Sequence, residues 1–98
     1  PRPVARAFFG ILIETLGERV RSAEGQGYAV EASVRIEQAL RELAIVNWTM
    51  NEDVLKRMAL VSEDLLLDLK GPHGIELDFD DVDHLVTRFI DVARVQLR

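Results

Sequence analysis

The spacing of apolar residues is the feature that most constrains the fold of this chain. Four stretches, at about 4–22, 29–46, 52–70 and 79–98, repeat apolar side chains every three or four residues. That period places them on one face of an α-helix. The connections are short, so neighbouring helices are expected to run antiparallel. The sequence therefore predicts an all-α, antiparallel four-helix bundle that forms a single domain over residues 1–98.

Local signals predict where several helices begin and end. Gly71-Pro72 stops the third helix, and the glycine spacing of 22–28 predicts a loop before the second. For the fourth helix, Asp78 is the predicted N-cap and Asp81 the third helical residue. Leu77 and Val82 then occupy the two positions of a hydrophobic staple.

The apolar positions also predict which faces form the core. The second helix should bury one side that ends at Val46, and the first helix is apolar around most of its circumference. The main stripe predicted for the third helix is Val54, Met58, Val61, Leu65 and Leu69, widened by Leu55, Ser62 and Leu66.

Trp48 is the only tryptophan, and it lies between the second and third helices. We expect it to be a structural anchor that packs at this corner and fixes the angle between the two helices. Thr49 with Glu52 forms one potential capping box for the third helix, and Asn51 is a rival N-cap. The sequence leaves these two alternatives open.

Charge and composition exclude several classes of protein. The net charge of −5 disfavours direct nucleic-acid binding, which needs a basic face. No apolar run approaches the roughly 20 residues of a membrane span, so no membrane partner is expected. No signal peptide precedes the first helix and no cysteine is present, which fits a cytoplasmic protein. Because the chain does not begin with Met, we expect it to be a fragment of a larger protein.

No catalytic, cofactor-binding or metal-binding residue is predicted. The acidic segment 74–83 lacks the Gly and Glu that a calcium loop starting at Asp78 would need. Asp81 and His84 share one helical turn but fit a solvated helix face. Asp68 and Lys70 have the Asp-x-Lys spacing of PD-(D/E)xK nucleases, whose chemistry needs adjacent strands. We keep that nuclease site as the weakest alternative.

Apolar residues outside the predicted core stripes indicate a protein partner. Leu60 and Leu67 lie seven residues apart on the charged side of the third helix, which makes them the first candidate partner-binding surface. A second candidate surface on the second helix and just after it comprises Val30, Val34, Arg41 and Ile45. The sequence does not rank the two surfaces.

Several segments resemble one known family. In chain order they are P-V-A-R-A-F-F-G-I-L, I-V-N-W-T-M-N-E-D-V-L-K-R-M, E-D-L-L-L-D-L and H-G-I-E-L-D-F-D-D-V-D. Together they are similar to the region near the end of the restriction (R) subunit of type I restriction-modification enzymes. The matching positions are Phe8-Phe9-Gly10, Asn47-Trp48-Thr49, Asn51, Asp53-Val54, Met58, Glu63-Asp64 and 74–77. Asn47 stands where that pattern has an acid, and Val61-Ser62 also departs from it, so the subfamily stays open.

The resemblance implies that this chain is the C-terminal fragment of a larger multidomain subunit and that its role is in assembly. The R subunit of that family is an ATP-dependent DNA translocase and endonuclease, and its helical C-terminal domain is thought to dock it onto the methyltransferase core of modification and specificity subunits. By resemblance, ATP and Mg belong to the parent enzyme and not to this fragment, and the family's catalytic residues do not map here. The expected partners are the modification subunit and other domains of the R subunit. The main alternative is a stand-alone helical interaction or homodimerisation module.

Overall fold

A computed structural model describes residues 2–98. Within them the chain forms four α-helices: α1 (Pro3–Leu16), α2 (Ala23–Leu43), α3 (Glu52–Lys70) and α4 (Phe79–Gln96). Short 3-10 helices lie at Gly17–Val20 and Trp48–Met50, and these residues include no β-strand. The predicted all-α class is therefore confirmed. None of the helices in this part of the chain has the length and apolar character needed to cross a membrane.

The helices form a closed bundle, because each packs on the next in sequence and α4 returns to α1. Side-chain contacts between helix ends define their directions. Arg2, just before α1, contacts Glu37 near the end of α2. Arg19, just after α1, contacts Asp81 in the first turn of α4. Adjacent helices therefore run antiparallel. In the core, the rings of Phe8 and Phe89 lie 4.7 Å apart between centroids.

The starts of α3 and α4 follow their sequence signals. The Asn51 side chain accepts hydrogen bonds from the backbone N–H groups of Asp53 and Val54, at 3.0 and 3.2 Å. Asn51 is therefore the N-cap, and the Thr49 alternative is wrong. Asp78 is the N-cap of α4 and Asp81 its third residue, as predicted. The two residues also form a reciprocal capping box, which the sequence analysis did not predict.

The predicted boundary between the first two helices is wrong. Helix α1 ends at Leu16, because Gly17 takes a positive φ of 53° that breaks the helical ladder. Helix α2 begins at Ala23, where the Ser22 side chain caps the backbone N–H of Gly25 at 2.9 Å. Gly25 lies against the backbone of Val20, and a Cβ there would be 2.8 Å from the Val20 Cα. This glycine marks a close crossing and not a loop.

Three predicted core positions also need correction, one after α2 and two on α3. Val46 is 87% exposed, because α2 ends at Leu43 and the chain turns before Asn47, whose φ is 59°. Helix α3 is rotated relative to the predicted stripe. Its fully buried positions include Ser62 and Leu66, whereas Val61 and Leu65 are only half-buried.

Candidate protein-interaction groove

Trp48 closes one end of the bundle. Its side chain is 1% exposed, and its indole Nε1 donates a hydrogen bond to the Leu97 carbonyl oxygen at 2.9 Å. The predicted burial is confirmed. The bond to Leu97 was not foreseen, because it joins residues 49 positions apart. Trp48 therefore ties the start of α3 to the end of α4, which brings these two helices together along one face of the bundle.

A groove of about 580 Å³ runs along that face, and we call it the α3–α4 groove. Helix α3 forms one wall of the groove and α4 forms the other. The 71–78 loop lies at the end of the groove where α3 ends and α4 begins. The volume falls within the range of small-molecule and cofactor pockets in proteins. Its apolar residues are Ala59 and Leu67 of α3, Leu77 of the loop, and Phe79, Val82, Val86 and Ile90 of α4.

Large apolar side chains stand exposed beside this groove. Phe79 is 85% exposed although it is the first residue of α4, and Leu67 is 48% exposed on α3. Leu60 is 61% exposed, and it lies two helical turns before Leu67 on the same edge of α3. The two leucines predicted as a partner-binding surface therefore adjoin the groove, Leu67 as part of its wall.

Carboxylates dominate the charged residues that line the groove. The charged lining consists of four acids and two bases: Glu63, Asp78, Asp83 and Asp91, with Lys70 and Arg94. The bases lie at the two ends, since Lys70 ends α3 and Arg94 lies in the last turn of α4. Along most of its length the groove is thus apolar with an acidic rim.

The groove lies in the half of the chain that carries all of the net charge. Residues 48–98 hold eleven acidic and six basic side chains, a net charge of −5, whereas residues 1–47 hold six of each. Among the described residues, nine of those eleven acids lie beyond 4.0 Å of any basic side chain. In the first half, four of the six acids are ion-paired.

The second predicted surface is different. A smaller cavity of about 210 Å³, here the α1–α2 groove, is lined by Arg2, Ala5, Arg6, Phe9, Val30, Ser33 and Val34. It contains two arginines and no acid. Arg41 lies on the same side of α2, and its Nε donates to the buried Glu37 carboxylate at 2.5 Å. Arg41 also lines a separate cavity of about 610 Å³ between α1 and α2, whose lining is mainly polar and charged. Ile45 is exposed in the connection after α2. The structure therefore places Val30 and Val34 on the α1–α2 groove, Arg41 in an ion pair at a second cavity, and Ile45 in a loop.

A polar cluster joins α1 to α4 at the end of the bundle opposite Trp48. The Arg19 guanidinium donates to both carboxylate oxygens of Asp81, at 2.5 and 3.3 Å, and to the carbonyl oxygens of Thr15, Leu16 and Glu76. The hydrogen bond from Arg19, followed by that from the Asp78 backbone N–H, holds the pKa of Asp81 below its ordinary value of 3.8. The Asp81 carboxylate therefore stabilises the start of α4, where it accepts hydrogen bonds from Arg19 and from the Asp78 backbone N–H.

The polar residues considered for catalysis are not brought together. Asp68 lines a cavity between α2 and α3, where it lies 3.9 Å from Arg35. Lys70 lines the α3–α4 groove instead. The two side chains point away from each other, because positions two residues apart on a helix differ by about 200° in direction. Within residues 2–98, no group of three or more His, Cys, Asp or Glu residues is arranged to hold a metal ion. The structure offers no support for the nuclease alternative.

Phe79 is the groove residue that the sequence reasoning missed. In the alternating run 75–79, Ile75 and Leu77 are buried, and Phe79 has the same spacing. Helix α4 begins at Phe79, however, so the strand-like alternation ends there and its side chain turns out. The sequence did contain a signal for this change, because Phe79 directly follows the predicted N-cap Asp78 and is therefore the first helical residue.

The chain was compared with protein-family models, with curated proteins and with solved structures, and none of the three comparisons gave a significant match.

Proposed function

We propose that this chain is an assembly domain that docks the R subunit of a type I restriction enzyme onto its modification and specificity subunits. The sequence resemblance supplies the family, and the α3–α4 groove supplies a surface for docking. In this proposal the domain acts in the cytoplasm through protein contacts. ATP hydrolysis, Mg²⁺ and DNA cleavage belong to the other domains of the parent enzyme.

The observation that carries the proposal is the exposed apolar edge of the α3–α4 groove. Leu67 and Phe79 line the groove, Leu60 lies two helical turns before Leu67 on the same edge of α3, and each of the three side chains is at least 48% exposed. Apolar and aromatic groups gathered in this way are typical of protein–protein interfaces. The acidic surroundings disfavour a nucleic-acid partner, because phosphates would be repelled.

Charge also bears on the homodimer alternative. A symmetric dimer through the α3–α4 groove would bring together two halves that each carry a net charge of −5. Like charges across an interface oppose association. A partner with a different surface charge is therefore favoured over a second copy of this chain.

The experiment is the double substitution Leu60→Glu with Leu67→Glu, followed by an assembly assay with the modification and specificity subunits. Because both side chains are exposed, stability should change by less than about 0.5 kcal/mol. The loss of apolar contacts and the added negative charge should weaken assembly by about 30-fold or more. Analytical ultracentrifugation of the purified components measures the effect.

Val30→Glu with Ile45→Glu is the matched control, since these residues are 49% and 56% exposed and lie away from the groove. The control should assemble like the unchanged protein. Unaltered assembly of the Leu60/Leu67 variant would contradict the proposal. A stable dimer of the isolated chain that the Leu60/Leu67 change disrupts would establish the homodimer alternative in its place.

A further inference from the structure

We infer that the α3–α4 groove takes an amphipathic helix of the partner whose apolar stripe is flanked by Lys or Arg. This inference rests on the proposed docking function and adds the chemistry of the segment that is bound. Three properties of the groove lead to it: its length, its apolar floor and its charge.

The length of the groove suits a helix of about four turns. Its lining on α4 extends from Phe79 to Arg94, fifteen steps along one helix. At a rise of about 1.5 Å per residue, this is roughly 22 Å. The opposite wall is α3, so the groove lies between two antiparallel helices. Helices recognise such grooves through apolar side chains at i, i+3, i+4 and i+7.

The floor of the groove provides the apolar contacts. Val82 and Ile90 are half-buried on α4, whereas Leu67 and Phe79 remain open at its edges. The half-buried residues keep some apolar surface that the bundle itself does not cover. An incoming apolar stripe would bury this surface together with the two exposed edges.

The rim specifies the charge of the occupant. Glu63 and Asp83 lie on opposite walls of the groove, and Asp91 lies two turns further along α4. None of these three carboxylates has a basic partner within 4.0 Å among residues 2–98. Basic residues on both flanks of a bound helix would pair with these acids. An acidic or neutral helix would leave them uncompensated beside an apolar contact.

The test uses the 98-residue chain and two labelled 14-residue peptides. One peptide has Leu at i, i+3, i+4 and i+7 with Lys elsewhere, and the other has Glu in place of every Lys. Fluorescence anisotropy should show tighter binding of the Leu/Lys peptide by about 30-fold or more, with an affinity that falls as salt increases. Equal binding of the two peptides would overturn the inference.

Charge reversal distinguishes the groove from general attraction to an acidic protein. Glu63→Lys with Asp83→Lys should weaken Leu/Lys binding by about tenfold or more. Glu31→Lys with Glu42→Lys makes the same change in net charge on exposed positions of α2, and it should have less than about a threefold effect. Equal losses in the two variants would show attraction without a site and would overturn the inference.

The inference and the docking proposal fail in different ways. If Leu60→Glu with Leu67→Glu abolishes assembly but Glu63→Lys with Asp83→Lys leaves it intact, the docking function holds and the basic helix is wrong. If the Leu/Lys peptide binds in the groove but the leucine variant assembles normally, the groove preference holds and the docking function is wrong.

Discussion

The two helix pairs of this bundle differ in how far they compensate their own charged groups. The α1–α2 pair is neutral and most of its acids are ion-paired. It forms two cavities, of about 210 and 610 Å³, and the larger one is lined mainly by polar and charged residues. The α3–α4 pair has unpaired carboxylates, exposed Leu67 and Phe79, and a groove of about 580 Å³. The two helix pairs of this small domain therefore differ in charge compensation and in the cavities that they form.

This difference indicates which face is left for a partner. On the α1–α2 side, the buried Glu37 carboxylate is paired with the half-exposed side chains of Arg2 and Arg41. On the α3–α4 side, the contacts that would complete the groove are not supplied by the chain itself. Exposed apolar surface and uncompensated charge on the same face are typical of an interaction site. The predictions below test whether this division of the bundle is correct.

The largest effect is expected at Trp48, which holds the α3–α4 pair together at one end. Trp48→Ala should lower the free energy of unfolding by about 3–5 kcal/mol, because it removes a fully buried indole and its hydrogen bond to Leu97. Urea denaturation followed by far-ultraviolet circular dichroism measures the change. Met50→Ala, on an exposed side chain of the same 3-10 helix, is the control and should change stability by less than about 0.5 kcal/mol. Similar midpoints for the two variants would show that Trp48 is not the anchor.

A smaller effect is expected where the two pairs are joined at the other end. Asp81→Asn removes the ion pair with Arg19 and should cost about 1 kcal/mol at neutral pH. Because folding lowers the pKa of Asp81 below 3.8, this contribution is present above that pH and is lost as the pH falls further. The difference between variant and unchanged protein should therefore shrink below pH 3.8. Asp80 lies in the same helical turn but has no ion pair among the described residues, so Asp80→Asn is the control and should change the free energy of unfolding by less. Equal pH dependence of stability in the two variants would contradict a specific role for Arg19.

The smallest effect concerns two buried serines, one in each helix pair. Ser33 of α2 donates its hydroxyl to the Ala29 carbonyl oxygen at 2.7 Å, whereas the Ser62 hydroxyl of α3 has no partner among the described residues. Ser62→Ala should therefore stabilise the protein by about 0.5 kcal/mol, and Ser33→Ala should destabilise it by a similar amount. Differential scanning calorimetry of both variants gives the comparison. A loss of stability in both would show that the α3–α4 pair is as well satisfied as its neighbour.

Local sequence signals predicted the bounds of α3 and the start of α4, although they left two N-caps open for α3. Caps such as Asn51 and Asp78 act on the backbone within three residues, so their pattern is visible in a single sequence. The boundary of α2 was misjudged because Gly25 is required by a contact with Val20 in another element. The sequence shows the glycine but not the crossing that requires it.

The candidate site was foreseen only in part. Leu60 and Leu67 were identified because they break the polar pattern on one face of α3. The groove itself depends on how α3 packs beside α4 and on the 71–78 loop, which places Phe79 at its edge. Such a cavity is a property of two elements that are joined through space, and helical periodicity describes each element alone.

The most direct test of the docking surface is a footprint on the assembled complex. The chain contains no cysteine, so single Leu67→Cys and Val30→Cys variants each offer one thiol for labelling. When the modification and specificity subunits are added, the labelling rate should fall at least several-fold at position 67 and stay unchanged at position 30. Protection at position 30 with free labelling at position 67 would contradict docking through the α3–α4 groove.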